Sequence, residues 1–223
     1  MDSAPVPELD LRKGGSRLID GAAGPLEVLI DLPTRQACGI GIICHPQPLL
    51  GGSAMHKVPH FLARALCDHG WIVARPNFRG VGRSAGVHDA GRGETQDVLA
   101  LHRLLHIARP ELPLDLIGFS LGAFVQACVA RSLADAGTPA RKVCLAGMPF
   151  GEVEGGRRYE TPQGSIPDAL VIHGEQDERV PLGAVLDWAR PEVQPVVVVP
   201  GADHFFTGKL HILRSLVMSH LAT

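Results

Sequence analysis

Two hydrophobic rhythms alternate along the chain. Short, nearly continuous apolar runs at Gly39–Cys44, 71–74, 114–119, Lys142–Ala146, 169–173 and Val196–Val199 have no clear polar face, so they read as strands buried on both sides. Between them, residues 58–69, 94–108, 123–129, 181–189 and 207–221 place apolar side chains at helical spacing. Ahead of these, 16–20 and 26–32 flank the turn-forming Gly-Ala-Ala-Gly-Pro of 21–25 and predict an antiparallel hairpin. Strands alternating with helices from about residue 40 onward call for an α/β fold, a doubly wound, mostly parallel sheet with an N-terminal antiparallel hairpin. Residues 1–15, rich in proline and charge, are expected to form a loose leader, and 16–223 a single domain without a cap.

The run 114–119 leads straight into a helical stretch, and Gly118-Phe119-Ser120-Leu121-Gly122 lies at the join. A residue at the apex of so tight a turn is held in strained backbone, its side chain clear of the sheet. Flanking glycines are needed where strand and helix approach too closely for a β-carbon. Ser120 is therefore the candidate nucleophile. The Leu121 N–H, at the start of the helix, is a donor for a developing negative charge. With 26 glycines in the chain the bare motif is weak, and the strand before it and helix after it are what give it weight.

Active groups of a doubly wound sheet gather beyond the carboxyl ends of its strands. The run 169–173 enters Gly174-Glu175-Gln176-Asp177, and Val196–Val199 enters Pro200-Gly201-Ala202-Asp203-His204. His204, an imidazole that titrates near neutrality, is the expected base, taking the Ser120 proton and returning it to the leaving group. Asp177 is the expected orienter of that imidazole, with Glu175 and Asp203 as rival acids, and His173 is assigned to the strand-end turn. Nucleophile, acid, histidine is one of the chain orders in which such a triad occurs. A second oxyanion donor should come from the loop after Gly39–Cys44. Pro46 and Pro48 have no N–H, which leaves the backbone of Gln47, held extended by the prolines, with Leu49 as the fallback.

Composition narrows the function classes. A chain of 223 residues, 45% of them hydrophobic, suits one α/β domain with a sizeable core. A net charge of −2 offers no electrostatic footprint for nucleic acid. No apolar run reaches membrane-spanning length and no signal peptide is readable, so a cytoplasmic protein with neither a membrane nor a nucleic-acid partner is expected. Cys38, Cys44, Cys67, Cys128 and Cys144, without a CxxC, read as free thiols, mostly buried, of a reducing compartment. The glycine-rich loop 77–86 lacks the spacing of a phosphate-binding loop. His102 and His106, four apart on a helix, have no readable third ligand, so neither a cofactor nor a metal is expected.

His45-Pro-Gln-Pro-Leu-Leu-Gly-Gly with Met55-His56-Lys57-Val58, then Asn77-Phe-Arg-Gly-Val-Gly-Arg-Ser-Ala-Gly, Gly118-Phe-Ser-Leu-Gly, His173-Gly-Glu-Gln-Asp and Gly201-Ala-Asp-His resemble the small lidless bacterial α/β-hydrolases. That group lies near the dienelactone hydrolases and the Xaa-Pro-dipeptidyl-peptidase-like domain. The likeness spans nearly the whole chain past residue 15 and implies the α/β-hydrolase fold. It departs twice: dienelactone hydrolases have a cysteine where this chain has Ser120, and the group often has His where this chain has Gln47. The expected activity is that of a serine hydrolase cleaving small carboxylic esters or thioesters through an acyl-enzyme. An amidase or peptidase on the same triad, or a non-catalytic binding protein of the same fold, is the alternative. The natural acyl and leaving groups and the oligomeric state are not readable. The glycine-rich, charged connection 147–167 is expected to be a mobile polar rim and not a lid, which favours short acyl chains.

Overall fold

The structure, a computed structural model, describes residues 9–222. Its first elements form the expected hairpin, β1 (Gly15–Gly21) against β2 (Gly24–Asp31), with Gly21 paired to Gly24 across the turn. Next come β3 (Gly39–Cys44), α1 (Lys57–Asp68) and β4 (Trp71–Pro76), followed by α2 (Arg92–Ala108), β5 (Leu114–Phe119), α3 (Leu121–Asp135) and β6 (Lys142–Ala146). A small antiparallel pair, β7 (Gly151–Val153) and β8 (Arg157–Tyr159), stands outside the main sheet. The chain continues through β9 (Ala169–Gly174), α4 (Leu182–Ala189), β10 (Val196–Val199) and α5 (Leu210–Ala222). Eight strands make one sheet in the order β1-β2-β4-β3-β5-β6-β9-β10, with β1 and β2 antiparallel and every pair from β4 to β10 parallel.

β3 and β5 are buried at every position, which is why their sequences show no polar face. Side chains alternate between two layers. Ile40, Ile42, Leu114 and Leu116 pack with α2, α3 and α4, whereas Ile43, Ile117 and Phe119 pack with α1 and α5. Each such side chain contributes about 1.5–3 kcal/mol by leaving water.

The chain runs from β3 to β4 on one side, then places β5 on the other side of β3. Strand order therefore reverses at β3, and the crevice beyond the carboxyl ends of β3 and β5 is the topological switch point. Cys44 lies opposite Gly118 in the register, which sets residues 45–47 beside Ser120.

Three expectations change. The loose leader of 1–15 divides: residues 1–8 lie outside the described residues, Leu9 and Leu11 are buried in the core, and Gly15 already opens β1. Two leucines near the hairpin gain more by burial than the charged residues around them lose. The last helix begins at Leu210, not Thr207, because Phe206 and Gly208 take left-handed φ of 53° and 71° and make turns of 203–209. The connection 147–167 is not an unanchored polar rim. It folds into β7 and β8 and buries Val153, Tyr159 and Met148.

The five cysteines are free; Cys38 is exposed, and Cys44 and Cys144 are buried. No helix among the described residues is long and apolar enough to cross a membrane.

Candidate active site

β5 ends at Phe119 and α3 begins at Leu121, so Ser120 alone makes the turn, at φ 56°, ψ −123°. A left-handed φ on a residue with a β-carbon costs of order 1–3 kcal/mol and persists because its surroundings hold it. Here the Ser120 N–H donates to the Ala146 carbonyl at 2.9 Å, and the Ser120 carbonyl accepts from Ala123 at 2.8 Å. The flanking glycines are sterically required. A β-carbon on Gly118 would lie 2.3 Å from the Gly122 carbonyl oxygen, and one on Gly122 would lie 2.3 Å from that of Cys44.

The turn after β9 supplies a carboxylate. Asp177 Oδ1 accepts from the Arg179 and Val180 N–H groups at 3.0 and 2.8 Å, which fixes the side chain in its own turn. Its Oδ2 lies 2.7 Å from His204 Nδ1, and His204 Nε2 lies 2.9 Å from Ser120 Oγ. A carboxylate only accepts, so Nδ1 carries the proton and Nε2 presents its lone pair to the serine hydroxyl. The structure thus brings Ser120, His204 and Asp177 into one hydrogen-bonded row, with both Asp177 and His204 buried.

The other sequence-level candidates are engaged elsewhere. Glu175 accepts from the Gly201 N–H at 2.7 Å and ties the two strand-end turns together. Asp203 accepts from the Thr207 N–H at 2.8 Å and shapes the turn that presents His204. His173 Nε2 meets the Val180 carbonyl at 2.8 Å, and burial pushes this imidazole below its ordinary pKa.

The loop after β3 is built around two side chains. His45 is fully buried; its Nε2 accepts from the Phe78 N–H at 2.9 Å and its Nδ1 donates to the Pro46 carbonyl at 2.7 Å. Burial pushes its pKa down to about 4, so it is a neutral brace. Gln47 has φ −52°, ψ 118°, the extended geometry expected before a proline. Its Oε1 accepts from the Leu49 N–H at 3.3 Å, so Leu49, the fallback donor, is already engaged. The Gln47 and Leu121 N–H groups, by contrast, have no hydrogen-bond partner among the described residues.

Three side chains of the site were not assigned from sequence. His56 caps α1 and lines the cleft beside Ser120, its ring 5.9 Å from Phe119 and 5.7 Å from Phe205; burial, then the neighbouring His204, lowers its pKa. Tyr159, the chain's single tyrosine, accepts from Gln47 Nε2 at 3.1 Å and packs edge-on to Phe124. Arg179 lies over Phe205, 5.0 Å from the ring centroid. His56 sits in one of the motifs quoted above; Tyr159, between Arg158 and Glu160 in a charged stretch, had no signal in the sequence. The cleft over Ser120 encloses about 100 Å³ between Leu50, Pro149, Val153, Val180 and Phe205, well below the roughly 300 Å³ at which drug-sized ligand sites begin.

A larger groove of about 680 Å³, lined by His102, His106 and Arg141, contains none of these groups. Among the described residues no three His, Cys, Asp or Glu side chains gather as a metal site.

No protein-family model matches the chain. Over 107 residues it is 37% identical to an uncharacterised protein of Rickettsia prowazekii, a match that covers 48% of this chain and 45% of that one, so under half the length of that curated relative. Among solved structures, an α/β serine hydrolase without a lid from Xanthomonas campestris is 35% identical with a TM-score of 0.85, covering 97% of this chain and 96% of that one. An α/β serine hydrolase homologue from Coxiella burnetii is 36% identical with a TM-score of 0.80, covering 96% and 100%. The Pyrococcus furiosus esterase Pf2001, 19% identical with a TM-score of 0.76 and 98% of each chain covered, shares the fold.

Proposed function

The chain belongs to the α/β serine hydrolases that lack a lid, and on that premise we propose that it cleaves small carboxylic esters or thioesters through an acyl-enzyme on Ser120. The observation that carries the reading is the hydrogen-bonded row, Ser120 Oγ to His204 Nε2 at 2.9 Å and His204 Nδ1 to Asp177 Oδ2 at 2.7 Å, at the apex of a strained strand-to-helix turn.

Ser120 Oγ attacks the acyl carbon while its proton passes to His204 Nε2. The imidazolium that results is stabilised by Asp177, which stays ionised. The carbonyl oxygen becomes an oxyanion and takes the free N–H groups of Gln47 and Leu121, each such donor accelerating the step by about 10²–10³. Collapse breaks the bond to the leaving alcohol or thiol, which takes the proton from His204. Water then repeats the sequence on the acyl-serine, giving its proton to His204, and the carboxylic acid leaves with Ser120 restored.

The test is turnover of matched acetyl substrates, a p-nitrophenyl ester, an aryl thioester and an anilide, with rapid-quench mass spectrometry of the protein. The ester and thioester should turn over with a transient acetyl adduct, and the anilide at least about a hundredfold more slowly. Faster anilide turnover would reassign the chain to amide chemistry, and no turnover of any would leave a binding protein on a hydrolase fold.

A further inference from the structure

Among the described residues the cleft over Ser120 is lined by two guanidinium groups, Arg157 and Arg179, and by no carboxylate; Glu154, Glu178 and Asp203 line the adjoining hollow on the outer side of Arg179 and Phe205. In a chain of net charge −2 this is a local choice and not a general excess of positive charge. An arginine at a cleft rim is ordinarily a solvated charge; here Arg157 is tied to the backbone and Arg179 stands beside it in a loose ion pair. Arg157, on β8, donates from Nε and Nη2 to the backbone carbonyl of Glu154 at 3.3 and 2.8 Å, and pairs with no carboxylate among the described residues. Arg179, in the turn that holds Asp177, meets Glu154 Oε2 only at 3.5 Å, in a pair whose side chains are 41% and 54% exposed. So open and long an ion pair contributes little and is readily exchanged for a better anion. The Glu154 N–H donates to the Arg179 carbonyl at 3.2 Å, so the tip of the β7–β8 hairpin and the acid turn are joined, and the two cations with them.

Positively charged lining with low-dielectric walls concentrates anionic substrates, and the planar guanidinium fork matches a carboxylate in two parallel hydrogen bonds. We propose that the substrate cleaved at Ser120 is an ester or thioester that bears a carboxylate within a few atoms of the scissile carbonyl, bound by Arg157 and Arg179. The proposal rests on the hydrolase reading above and narrows its substrate class. The same anion recognition serves a half-ester of a dicarboxylic acid, with the charge on the acyl side, or an ester of an anionic alcohol, with the charge on the leaving group.

Two pairs of substrates separate these sources. On the acyl side, mono-p-nitrophenyl adipate is compared with p-nitrophenyl hexanoate; on the leaving-group side, the butyrate of a carboxylated nitrophenol is compared with p-nitrophenyl butyrate. Each kcat/KM is corrected for the spontaneous hydrolysis of its own ester. The anionic member of at least one pair should be preferred by about tenfold or more, the yield of one good charge-assisted contact. That preference should shrink in about 1 M NaCl, where the Debye length is about 3 Å. The anionic-to-neutral ratio should fall toward one in Arg157→Gln with Arg179→Gln. If that double variant does not fold, the two single variants and the salt series on the unmutated chain carry the comparison. A ratio at or below one in both pairs, or a ratio that survives loss of both arginines, overturns the proposal. Turnover of the neutral esters without anionic preference would do so while leaving the hydrolase reading intact, whereas no turnover of any ester would remove both.

Discussion

Gln47→Pro isolates a single backbone N–H. At φ −52°, ψ 118°, Gln47 already lies where a proline ring fits and where the following Pro48 requires extended backbone. Its carbonyl, which accepts from Leu50 at 3.1 Å and Gly52 at 3.0 Å, survives the substitution and keeps the loop closed. The N–H is lost, together with the side-chain bonds to Tyr159 at 3.1 Å and from the Leu49 N–H at 3.3 Å. Gln47→Ala loses the same two side-chain bonds and keeps the N–H, so the difference between the variants reads the amide. Two neutral hydrogen bonds are worth about 1–3 kcal/mol together, and both variants should be destabilised by a similar amount. One preorganised oxyanion donor is worth about 10²–10³ in kcat, roughly 3–4 kcal/mol. On p-nitrophenyl butyrate, kcat of Gln47→Pro should therefore fall at least about a hundredfold below that of Gln47→Ala, with KM little changed and melting temperatures alike. Equal kcat in two folded variants would mean that the oxyanion is held by other donors, and the role given to Gln47 would be withdrawn.

Asp177→Asn keeps the contacts of Oδ1 but turns an amide toward His204, favouring the wrong tautomer; kcat should drop by about 10⁴, and a drop below tenfold would remove Asp177 from the row. Across p-nitrophenyl esters from acetate to palmitate, kcat/KM should peak at short acyl chains, since a cleft of about 100 Å³ buries only the first few methylenes at about 0.8 kcal/mol each; a peak at about twelve carbons would contradict it. Burial lowers the pKa of His45 to about 4, from about 6.5 in the unfolded chain, so the native state binds fewer protons between those values. Its contribution, about 3 kcal/mol, is full above roughly pH 6.5 and is lost as the pH falls toward 4. Urea midpoints should accordingly drop between about pH 7.5 and 4.5, and equal midpoints would contradict a neutral buried imidazole.

The elements that hold the candidate groups were the readable ones. β3 and β5 are buried on both faces, so their apolar runs are continuous, and the elbow between β5 and α3 has a steric need for Gly118 and Gly122 that a sequence displays directly. Asp177 and His204 could be placed because strand-end turns in a parallel sheet share one edge. Contacts distant in sequence were hidden. Leu9 and Leu11, ahead of β1, join the core, and Tyr159 meets Gln47 across 112 residues. Glu94, at the start of the helical stretch read at 94–108, is a fully buried acceptor for the Asp89 and Gly91 N–H groups and a partner of His88. The late start of α5 turns on the left-handed Phe206, a conformation that side-chain type does not announce.

The central claim is that Ser120 is the nucleophile, and covalent labelling reads it without a known substrate. The protein is incubated with a fluorophosphonate, digested and mapped by tandem mass spectrometry, alongside Ser120→Ala and His204→Ala. A single stoichiometric adduct on the peptide carrying Ser120, absent in Ser120→Ala and formed at least about a hundredfold more slowly in His204→Ala, is the predicted result. An adduct on any other residue, or a Ser120→Ala protein that still labels and turns over ester, would contradict it.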